Sequence, residues 1–189
     1  MLETLYRDFD EVANKLGVFK VETVGDCYIG ASGVPTSAAN HAMIMARFSR
    51  ECLAHMDELL LELEAALGPG TTDLALRIGL HSGPVTGGVL RGDKSRFQLF
   101  GDSMNTAARM ESTGIPGRIQ VSQETARLVV ASGQQHLLSP RPEFVEAKGK
   151  GKMQTYWLRP KRSTRKSNDK RMRLSATRNQ RSFSSLTSV

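Results

Sequence analysis

Residues 20–30, KVETVGDCYIG, place Gly25-Asp26 between two apolar runs that are rich in β-formers. Gly-Asp is a common two-residue hairpin turn, so the stretch predicts two antiparallel strands over residues 18–24 and 27–29. It also carries two carboxylates, Glu22 and Asp26, four positions apart. A solvent-facing strand residue and a turn residue would explain them, and so would a functional site. The rest of the chain has to decide between these interpretations.

Helical patterns flank this hairpin on both sides. Apolar residues recur at helical spacing over residues 2–16, and Gly17 is expected to stop that helix. A longer helix is predicted after Pro35, and Gly68-Pro69-Gly70 ends it. Its apolar residues alternate at spacings of four and three, which indicates one buried stripe. The stripe comprises Ala42, Ala46, Ser49, Leu53, Met56, Leu60, Leu63 and Leu67.

Strand patterns dominate the second half of the chain. The alternation over residues 74–81 predicts a half-buried strand. SGPVTGGVL (82–90) predicts a turn into a second strand, and RFQLFG (96–101) predicts a third. A short strand over 119–121 and two or three further strands follow, the last of them within TYWLRP (155–160).

Two more helices are predicted among these strands. Asp102 or Ser103 can cap a helix that runs to about Ser112, and Ser122 can cap another. Helices that interleave with hairpin-joined strands are typical of α+β folds. We therefore expect an α+β fold in which a mixed sheet carries its helices on one side.

The charge divides the chain into a body and a tail. The 189 residues are of single-domain size and carry a formal net charge of +7. Nine of the 26 Lys and Arg residues, but one of the 19 acids (Asp169), lie within residues 160–189, so the body is near neutral. The tail is rich in Ser, Arg, Lys and Asn, a composition that predicts disorder. We expect a folded domain over 1–160 and a disordered basic Ser/Arg-rich tail over 161–189.

The sequence also indicates the cellular compartment of the protein. Cys27 and Cys52 lie in apolar patterns without C-x-x-C spacing, which favours free thiols over a zinc site. No run approaches the ~18 apolar residues of a membrane span, and the N-terminus lacks a signal-peptide pattern. We expect a soluble, cytoplasmic protein without a membrane segment.

Four segments, in order along the chain, resemble the catalytic domain of class III nucleotide cyclases, closest to the guanylate cyclase branch. They are FKVETVGDCYIGASGVP (19–35), LRIGLHSGPVTGGVL (76–90), FQLFGDSMNTAARMESTGIPGRIQVS (97–122) and KGKGKMQTYWL (148–158). The resemblance implies a ferredoxin-like α+β core that works as a homodimer or heterodimer with another cyclase domain, with active sites at the interface. It also implies a phosphorus–oxygen lyase of intracellular signalling, which forms a 3′,5′-cyclic monophosphate and pyrophosphate from a nucleoside triphosphate.

This chemistry calls for metal ions. In-line attack of the ribose 3′-oxygen on the α-phosphate is assisted by two Mg²⁺ or Mn²⁺ ions per complete site, which activate the nucleophile and hold the triphosphate. Asp26, at the hairpin tip, is a hard oxygen ligand, and the resemblance makes it the second of two metal-binding aspartates.

The first metal aspartate of the family has no match in this sequence. In the family it lies on a preceding strand of the form Phe-x-Asp-Ile-x-Gly-Phe, and Asp8 and Asp10 are poor substitutes because their surroundings are helical in pattern. That strand is central to the sheet, so its absence is expected to expose the neighbouring strand edges. The expected fold is therefore an N-terminally truncated cyclase core, either as a fragment of a longer cyclase or as a shortened gene product.

The resemblance assigns three residues to the ribose and the phosphates. Asn105 and Arg109 are four apart and project from one helix face. They match catalytic residues that orient the ribose and neutralise charge on the transition-state phosphate, for which a guanidinium is well suited. Lys148 matches a lysine that binds the terminal phosphates, although with Lys150 and Lys152 it could equally form a solvated lysine cluster.

Two residues concern the base. Guanine presents N1–H and N2–H₂ donors that one carboxylate can accept, and the resemblance assigns this role to Glu22, where adenine-selective relatives usually have lysine. Gln98 is in the second selectivity position, where guanylate cyclases typically have cysteine and adenylate cyclases aspartate. Its amide could donate to guanine O6 or accept from adenine N6. The pair favours GTP.

Three functions stay open at this point. The first is a guanylate cyclase domain that converts GTP to cyclic GMP; the second is an adenylate cyclase. The third is a catalytically incomplete partner that complements another cyclase chain, because in two-chain sites of the family five of these positions come from the subunit opposite the metal aspartates. Those five are Glu22, Gln98, Asn105, Arg109 and Lys148.

The basic tail suggests partners of a different kind. It has one aromatic residue, Phe183, and no stacking pattern, so nucleic-acid binding is not expected. It is a candidate for contact with an anionic membrane. This contact would fit a domain that forms the cytosolic part of a membrane receptor.

Overall fold

In the computed structural model, four helices and eleven strands are built from residues 2–67, 74–91, 96–147, 149–161 and 185–188, which are the residues the structure describes. The helices are α1 (Leu2–Leu16), α2 (His41–Leu67), α3 (Asp102–Ser112) and α4 (Gln123–Ala131). The strands are β1 (Phe19–Val24), β2 (Cys27–Ala31), β3 (Arg77–Leu80), β4 (Thr86–Leu90), β5 (Arg96–Phe100), β6 (Ile119–Ser122), β7 (Leu138–Pro140), β8 (Val145–Ala147), β9 (Gly151–Met153), β10 (Thr155–Leu158) and β11 (Ser185–Ser188).

Seven of these strands form one mixed sheet in the order β1-β2-β11-β3-β6-β10-β7. The strands β2, β11, β3 and β6 run parallel to one another, and β1, β10 and β7 add antiparallel pairings at the two ends. The strands β4 and β5 form a separate ribbon, as do β8 and β9. The predicted α+β class with a mixed sheet is confirmed.

The main core lies between one face of the sheet and the helices α1, α2 and α4. Ile78 and Leu80 of β3 pack there with Phe9 of α1 and Phe48 of α2. The predicted stripe of α2 is confirmed over the part whose side chains are described. Ala42, Ala46, Ser49, Leu53, Met56 and Leu60 are all buried.

The helix α3 lies on the opposite face, which corrects the expectation of helices on one side only. Alternate residues of a strand point to opposite faces, and Gly79 lies between the core residues Ile78 and Leu80. A Cβ atom on Gly79 would come within 2.1 Å of the Glu111 backbone nitrogen of α3. On β6, Gln120 likewise reaches Thr113 at the end of α3, with Nε2 donating to Oγ1 at 3.0 Å.

The C-terminal strand β11 also differs from expectation. Ser185–Ser188 belong to the tail that was predicted to be disordered, yet they pair with β2 on one side and β3 on the other. These two strand edges, which the truncated core was expected to expose, are therefore covered. The tail was predicted to be disordered as a whole; the structure describes a strand at these four residues, and residues 162–184 and 189 lie outside the described part of the chain.

Of the two helix caps predicted from the sequence, the cap of α4 is confirmed and the cap of α3 is not. Ser122 precedes α4 and its Oγ accepts a hydrogen bond from the Thr125 backbone nitrogen, as expected. The helix α3 begins after Gly101 without a side-chain cap. Ser103 Oγ instead donates to the Pro84 carbonyl at 2.7 Å, and Asp102 pairs with Lys150. Both candidate caps are engaged by residues distant in sequence.

Neither Cys27 nor Cys52 forms a disulfide, as predicted. Burial raises the pKa of the Cys52 thiol well above its ordinary value, so this group behaves as a small apolar side chain. None of the described helices is long and apolar enough to cross a membrane.

Candidate active site

The hairpin β1–β2 carries Glu22 and Asp26. The strands pair from Phe19 opposite Ala31 to Val24 opposite Cys27, as the sequence predicted. Gly25 has φ of +60°, a conformation that favours glycine, and the turn that it forms leaves Asp26 exposed at the tip.

A bulge sets the position of Glu22 on this hairpin. Lys20 pairs with Gly30, but Glu22 pairs with Ile29, so two steps along β1 match one step along β2. A bulge of this kind reorients the side chain that follows it. Glu22 is half-buried here.

Contacts with α1 hold the base of the hairpin. Asp10 Oδ1 accepts a hydrogen bond from Tyr28 OH at 2.8 Å, and Asp10 Oδ2 accepts one from Lys20 Nζ at 2.7 Å. Burial, followed by this hydrogen bond, raises the pKa of Tyr28 far above its ordinary value, so the phenol stays protonated. Burial and the nearby Asp26 charge also raise the pKa of Tyr6. Asp10 is thus a structural acceptor, which agrees with its exclusion as a metal ligand.

The ribbon β4–β5 places Gln98 close to the hairpin. Gln98 is half-buried and pairs with Gly88. Its neighbour Phe97 packs edge-to-face on Phe19 of β1, with ring centroids 5.4 Å apart. The two candidate base-recognition residues, Glu22 and Gln98, therefore lie on elements that contact each other.

The helix α3 carries Asn105 and Arg109, one turn apart. Asn105 is exposed and Arg109 is half-buried. Within the described part of the chain, neither side chain makes a hydrogen bond or an ion pair, and the same holds for Glu22 and Gln98. These four polar groups are available to a ligand, whereas Asp10 is engaged in the fold.

Three contacts fix α3 on the strands β3 and β6, an assembly that we call the α3 platform. Gly79 allows the helix backbone to approach β3 closely. Arg77 Nε donates to Glu111 Oε1 at 2.8 Å, and the Glu111 side chain is only 10% exposed. Ser103 anchors the first turn to the loop after β3. Asn105 and Arg109 thus project from a helix that is held at both ends.

The turn between β8 and β9 lies next to α3. Lys150 donates to the Asp102 carboxylate at the first turn of the helix. Lys148 lies outside the described residues, so its assignment remains a prediction. The Lys150–Asp102 contact links the described part of this turn to α3, and the two interpretations of Lys148 stay open.

These features can be compared with those of known proteins. A family model, described as the adenylate and guanylate cyclase catalytic domain, matches residues 1–160. The chain belongs to this family.

The relatives of this cyclase-family chain include human guanylyl cyclase C, which is 42% identical over 159 residues. The match covers 84% of the chain and 14% of that protein, so the chain spans about one seventh of such relatives. Among solved structures, the guanylate cyclase domain of RhGC from Catenaria anguillulae, in complex with GTP, is 36% identical with a TM-score of 0.67. The similarity covers 85% of this chain and 82% of that one. A non-canonical dimeric guanylyl cyclase domain of the RhoGC fusion protein from Blastocladiella emersonii is 34% identical with a TM-score of 0.62, over 83% of this chain and 80% of that one.

Metal binding by this cyclase domain can be tested on its carboxylates. Across the described ranges, no group of three or more His, Cys, Asp or Glu side chains could hold a metal ion. Asp10 is bonded to Tyr28 and Lys20, and Asp26 stands at the hairpin tip. The described residues therefore contain no three-ligand group for a metal ion, and Asp26 by itself would not fit a pair of ions.

His81 has a structural environment in the domain. Its Nδ1 lies 2.9 Å from Oγ of Ser122, the residue that caps α4. Burial lowers the pKa of His81, with the Glu124 carboxylate opposing this effect. The imidazole thus links the end of β3 to the residue that caps α4.

Sequence reasoning missed the groups that position α3. No local pattern pairs Arg77 with Glu111 or Asp102 with Lys150, because each pair joins residues at least 34 positions apart. Gly79 was detectable, since a glycine within a strand often marks a close approach of another backbone.

Proposed function

We propose that the chain is a guanylate cyclase domain that supplies the base-binding and phosphate-binding half of a site converting GTP to cyclic GMP and pyrophosphate. The observation that carries the proposal is the set of four polar side chains, Glu22, Gln98, Asn105 and Arg109, that are free of partners in the described part of the fold. They lie on three connected elements, β1, β5 and α3. The GTP complex of the related Catenaria domain supports the choice of nucleotide.

Guanine would be bound by Glu22 and Gln98. A half-buried carboxylate without an intramolecular partner accepts N1–H and N2–H₂ of guanine together, and charge-assisted hydrogen bonds of this kind are strong. The N1 atom of adenine is an acceptor and would be repelled. The Gln98 amide would donate to guanine O6.

The ribose and the phosphates would be bound by Asn105, Arg109 and Lys148. The planar guanidinium of Arg109 can bind two phosphate oxygens at once. Because α3 is fixed by Gly79 and by the Arg77–Glu111 pair, these side chains require little reorganisation during the reaction. Lys148 would bind the terminal phosphates from the turn that Lys150 docks on α3.

Two divalent ions, Mg²⁺ or Mn²⁺, would activate the 3′-oxygen and hold the triphosphate in a complete site. Asp26 could be one oxygen ligand. Because the described residues of the chain do not fit a pair of ions, no step is assigned to metal held by this chain alone.

The lack of a three-ligand metal group among the described residues favours a second candidate function, that of a partner which complements another cyclase chain. The metal ligands would then come from the other subunit of a homodimer or heterodimer. The non-canonical dimer of the Blastocladiella domain supports association in pairs only in general terms. If the domain uses GTP as its substrate, we expect it to act in the cytoplasm. A preference for ATP over GTP remains the alternative for the substrate.

A complementation assay tests both roles. The full chain is mixed with another cyclase domain whose matching Asn and Arg helix residues are alanine, and cyclic nucleotide is measured from GTP and from ATP. Recovery of cyclic GMP formation is expected, and Arg109→Ala should reduce it by at least about 100-fold. The matched control is Arg127→Ala on the exposed face of α4, which should leave the recovery unchanged. Dimer formation without recovery would reject the proposal, and recovery with ATP alone would reject the base assignment.

A further inference from the structure

The C-terminal end of α3 is tied to the sheet by polar groups that the proposed function does not use. Thr113 is the residue that caps this end of the helix, Gln120 lies in β6 and Arg141 follows β7. Arg141 Nη1 donates to Gln120 Oε1 at 2.7 Å and to the Thr113 carbonyl at 2.9 Å. Gln120 is 0% exposed and the Arg141 side chain is 19% exposed, so water competes little for these bonds.

The hydrogen bonds of this network have a fixed direction. A guanidinium has donors only, so the Gln120 amide has to turn its oxygen towards Arg141 and its nitrogen towards Thr113. Gln120 Nε2 then donates to Thr113 Oγ1 at 3.0 Å. The Thr113 hydroxyl accepts this bond and donates its own hydrogen to the Arg109 carbonyl at 2.6 Å. The series of donors therefore runs from Arg141 through Gln120 and Thr113 to the backbone of Arg109.

We propose that Arg141, acting through Gln120 and Thr113, is a positioning residue that holds Arg109 in place for the reaction. Within the described part of the fold, the Arg109 side chain makes no hydrogen bond or ion pair. The position of its guanidinium therefore depends on the backbone of the last turn of α3, where the network ends. This inference rests on the proposed function, in which Arg109 binds phosphate oxygens.

The network does more than close the end of a helix. The Thr113 backbone nitrogen already donates to the Arg109 carbonyl at 3.1 Å, which satisfies one of the last carbonyls of α3. The Thr113 hydroxyl adds a second bond to the same oxygen, and Arg141 brings a cation to the negative end of the helix. The last turn is thereby tied to β6 and to the segment after β7. A displacement of about 1 Å at a reacting group can cost about 100-fold in rate, so such restraint matters for catalysis.

Tertiary contacts hold Arg141 itself. Its backbone nitrogen donates to the Thr155 carbonyl at 2.9 Å, and its carbonyl accepts from Gln154 Nε2 at 2.9 Å. Its guanidinium lies over the Trp157 ring, 5.1 Å from the centroid, which is within the range of a cation–π contact. Glu143 Oε2 lies 3.8 Å from Arg141 Nε, but that side chain is 75% exposed and the pair contributes little. Arg141 therefore donates to the network from a fixed position.

Hydrogen exchange tests the network without a nucleotide. Gln120→Glu keeps the shape of the side chain and an acceptor for Arg141, but a carboxylate cannot donate. The Thr113 hydroxyl then donates to this carboxylate and no longer to the Arg109 carbonyl. Amide exchange over residues 109–114, followed by mass spectrometry in the full chain, should become at least about tenfold faster, while exchange in α4 stays the same.

The matched control is Arg118→Ala. It removes the other guanidinium that lies over Trp157, 5.2 Å from the ring centroid. Within the described part of the chain, the Arg118 side chain makes no hydrogen bond to α3, so exchange over residues 109–114 should stay unchanged. Equal exchange in Gln120→Glu and the unaltered chain, or equal acceleration by Arg118→Ala, would overturn the proposal.

The complementation assay tests the positioning role with GTP, below the temperature at which any variant begins to unfold. Gln120→Glu and Thr113→Val should each lower kcat at least about tenfold and change KM by less than about threefold, because a displaced Arg109 loses contacts made in the transition state. Thr113→Ser restores the hydroxyl and should keep at least about half of kcat, and Arg118→Ala should match the unaltered chain. An unchanged kcat, a loss confined to KM, or equal losses in Thr113→Ser and Thr113→Val would overturn the positioning role.

The outcomes separate this inference from the proposed function. No recovery by the unaltered chain, despite dimer formation, rejects the proposed function and the positioning role together. Recovery by the unaltered chain with unchanged variants rejects the positioning role alone. The exchange measurement decides in either case whether Arg141, Gln120 and Thr113 hold the end of α3.

Discussion

The α3 platform and the hairpin β1–β2 hold their candidate residues in different ways. The platform fixes Asn105 and Arg109 through buried side-chain contacts, of which Gly79 and the Arg77–Glu111 pair are the main ones. The hairpin presents Glu22 and Asp26 from strands whose link to the rest of the sheet is the backbone pairing with β11. The proposed phosphate-binding half therefore depends on packing within the body, and the proposed base-binding half depends partly on a segment from the far end of the chain.

The largest expected effect comes from breaking the platform at Gly79. In Gly79→Ala the new Cβ atom meets the backbone of Glu111 at 2.1 Å, so α3 has to move. We expect the free energy of unfolding to fall by at least about 3 kcal/mol, measured by chemical denaturation. Gly88→Ala is the matched control, because its Cβ atom meets only Phe100 at 3.9 Å, and it should change stability by less than about 1 kcal/mol. A tolerated Gly79→Ala would mean that the platform is not tightly packed.

The ion pairs of the two regions give a direct comparison. Arg77→Ala leaves the Glu111 carboxylate buried and unpaired, so stability should fall by about 2–3 kcal/mol. Lys20→Ala removes the hairpin pair with Asp10, in which both side chains are 39% exposed. That change should cost less than about 1 kcal/mol. Equal losses in thermal denaturation would contradict the difference between the regions.

The next expected effect is a change in nucleotide preference caused by a substitution in the hairpin, with the fold left intact. Glu22→Ala removes the proposed acceptor of the guanine donors, and in the complementation assay the preference for GTP over ATP should drop by about 10- to 30-fold. The exposed Glu3 of α1 provides the control, since Glu3→Ala should keep the preference. Unchanged selectivity in Glu22→Ala would move base recognition away from the hairpin.

The smallest effect is a pH dependence on the platform side. Burial lowers the pKa of His81 in the folded state, so the unfolded chain binds more protons below its unfolded pKa of about 6.5. Stability should therefore fall by less than about 1 kcal/mol as the pH decreases from 7.5 to 5.5. His81→Gln should reduce this loss, as measured by denaturation at both pH values. An identical pH dependence in the variant would assign the loss to other groups.

Local patterns predicted most of the elements. The hairpin turn, the stop of α1 at Gly17 and the cap of α4 at Ser122 each depend on a few neighbouring residues, and each is confirmed. The missing cap of α3 and its position on the second face depend on Pro84, Lys150 and Gly79, which reach the helix through the tertiary fold.

The strand β11 was even harder to predict from local sequence patterns. Ser185–Ser188 have a weak strand pattern of their own, and their pairing is set by two edges that lie more than 100 positions earlier in the chain. The site residues were proposed from a family resemblance, and the structure adds that four of them make no side-chain hydrogen bond or ion pair within the described part of the chain. Their roles stay predictions until the assays above are made.

The pairing of Cys27 with Ser185 also has a consequence for the order in which the protein can fold. The two residues are 158 positions apart, so this contact contributes a very long sequence separation and cannot form early. At a synthesis rate of about 5–20 residues per second, the edge of β2 waits about 10–30 s for its partner while the chain is still growing. During that interval the newly made hairpin exposes an unpaired strand edge, which makes the nascent chain a substrate for chaperones until Ser185–Ser188 emerge and pair with it.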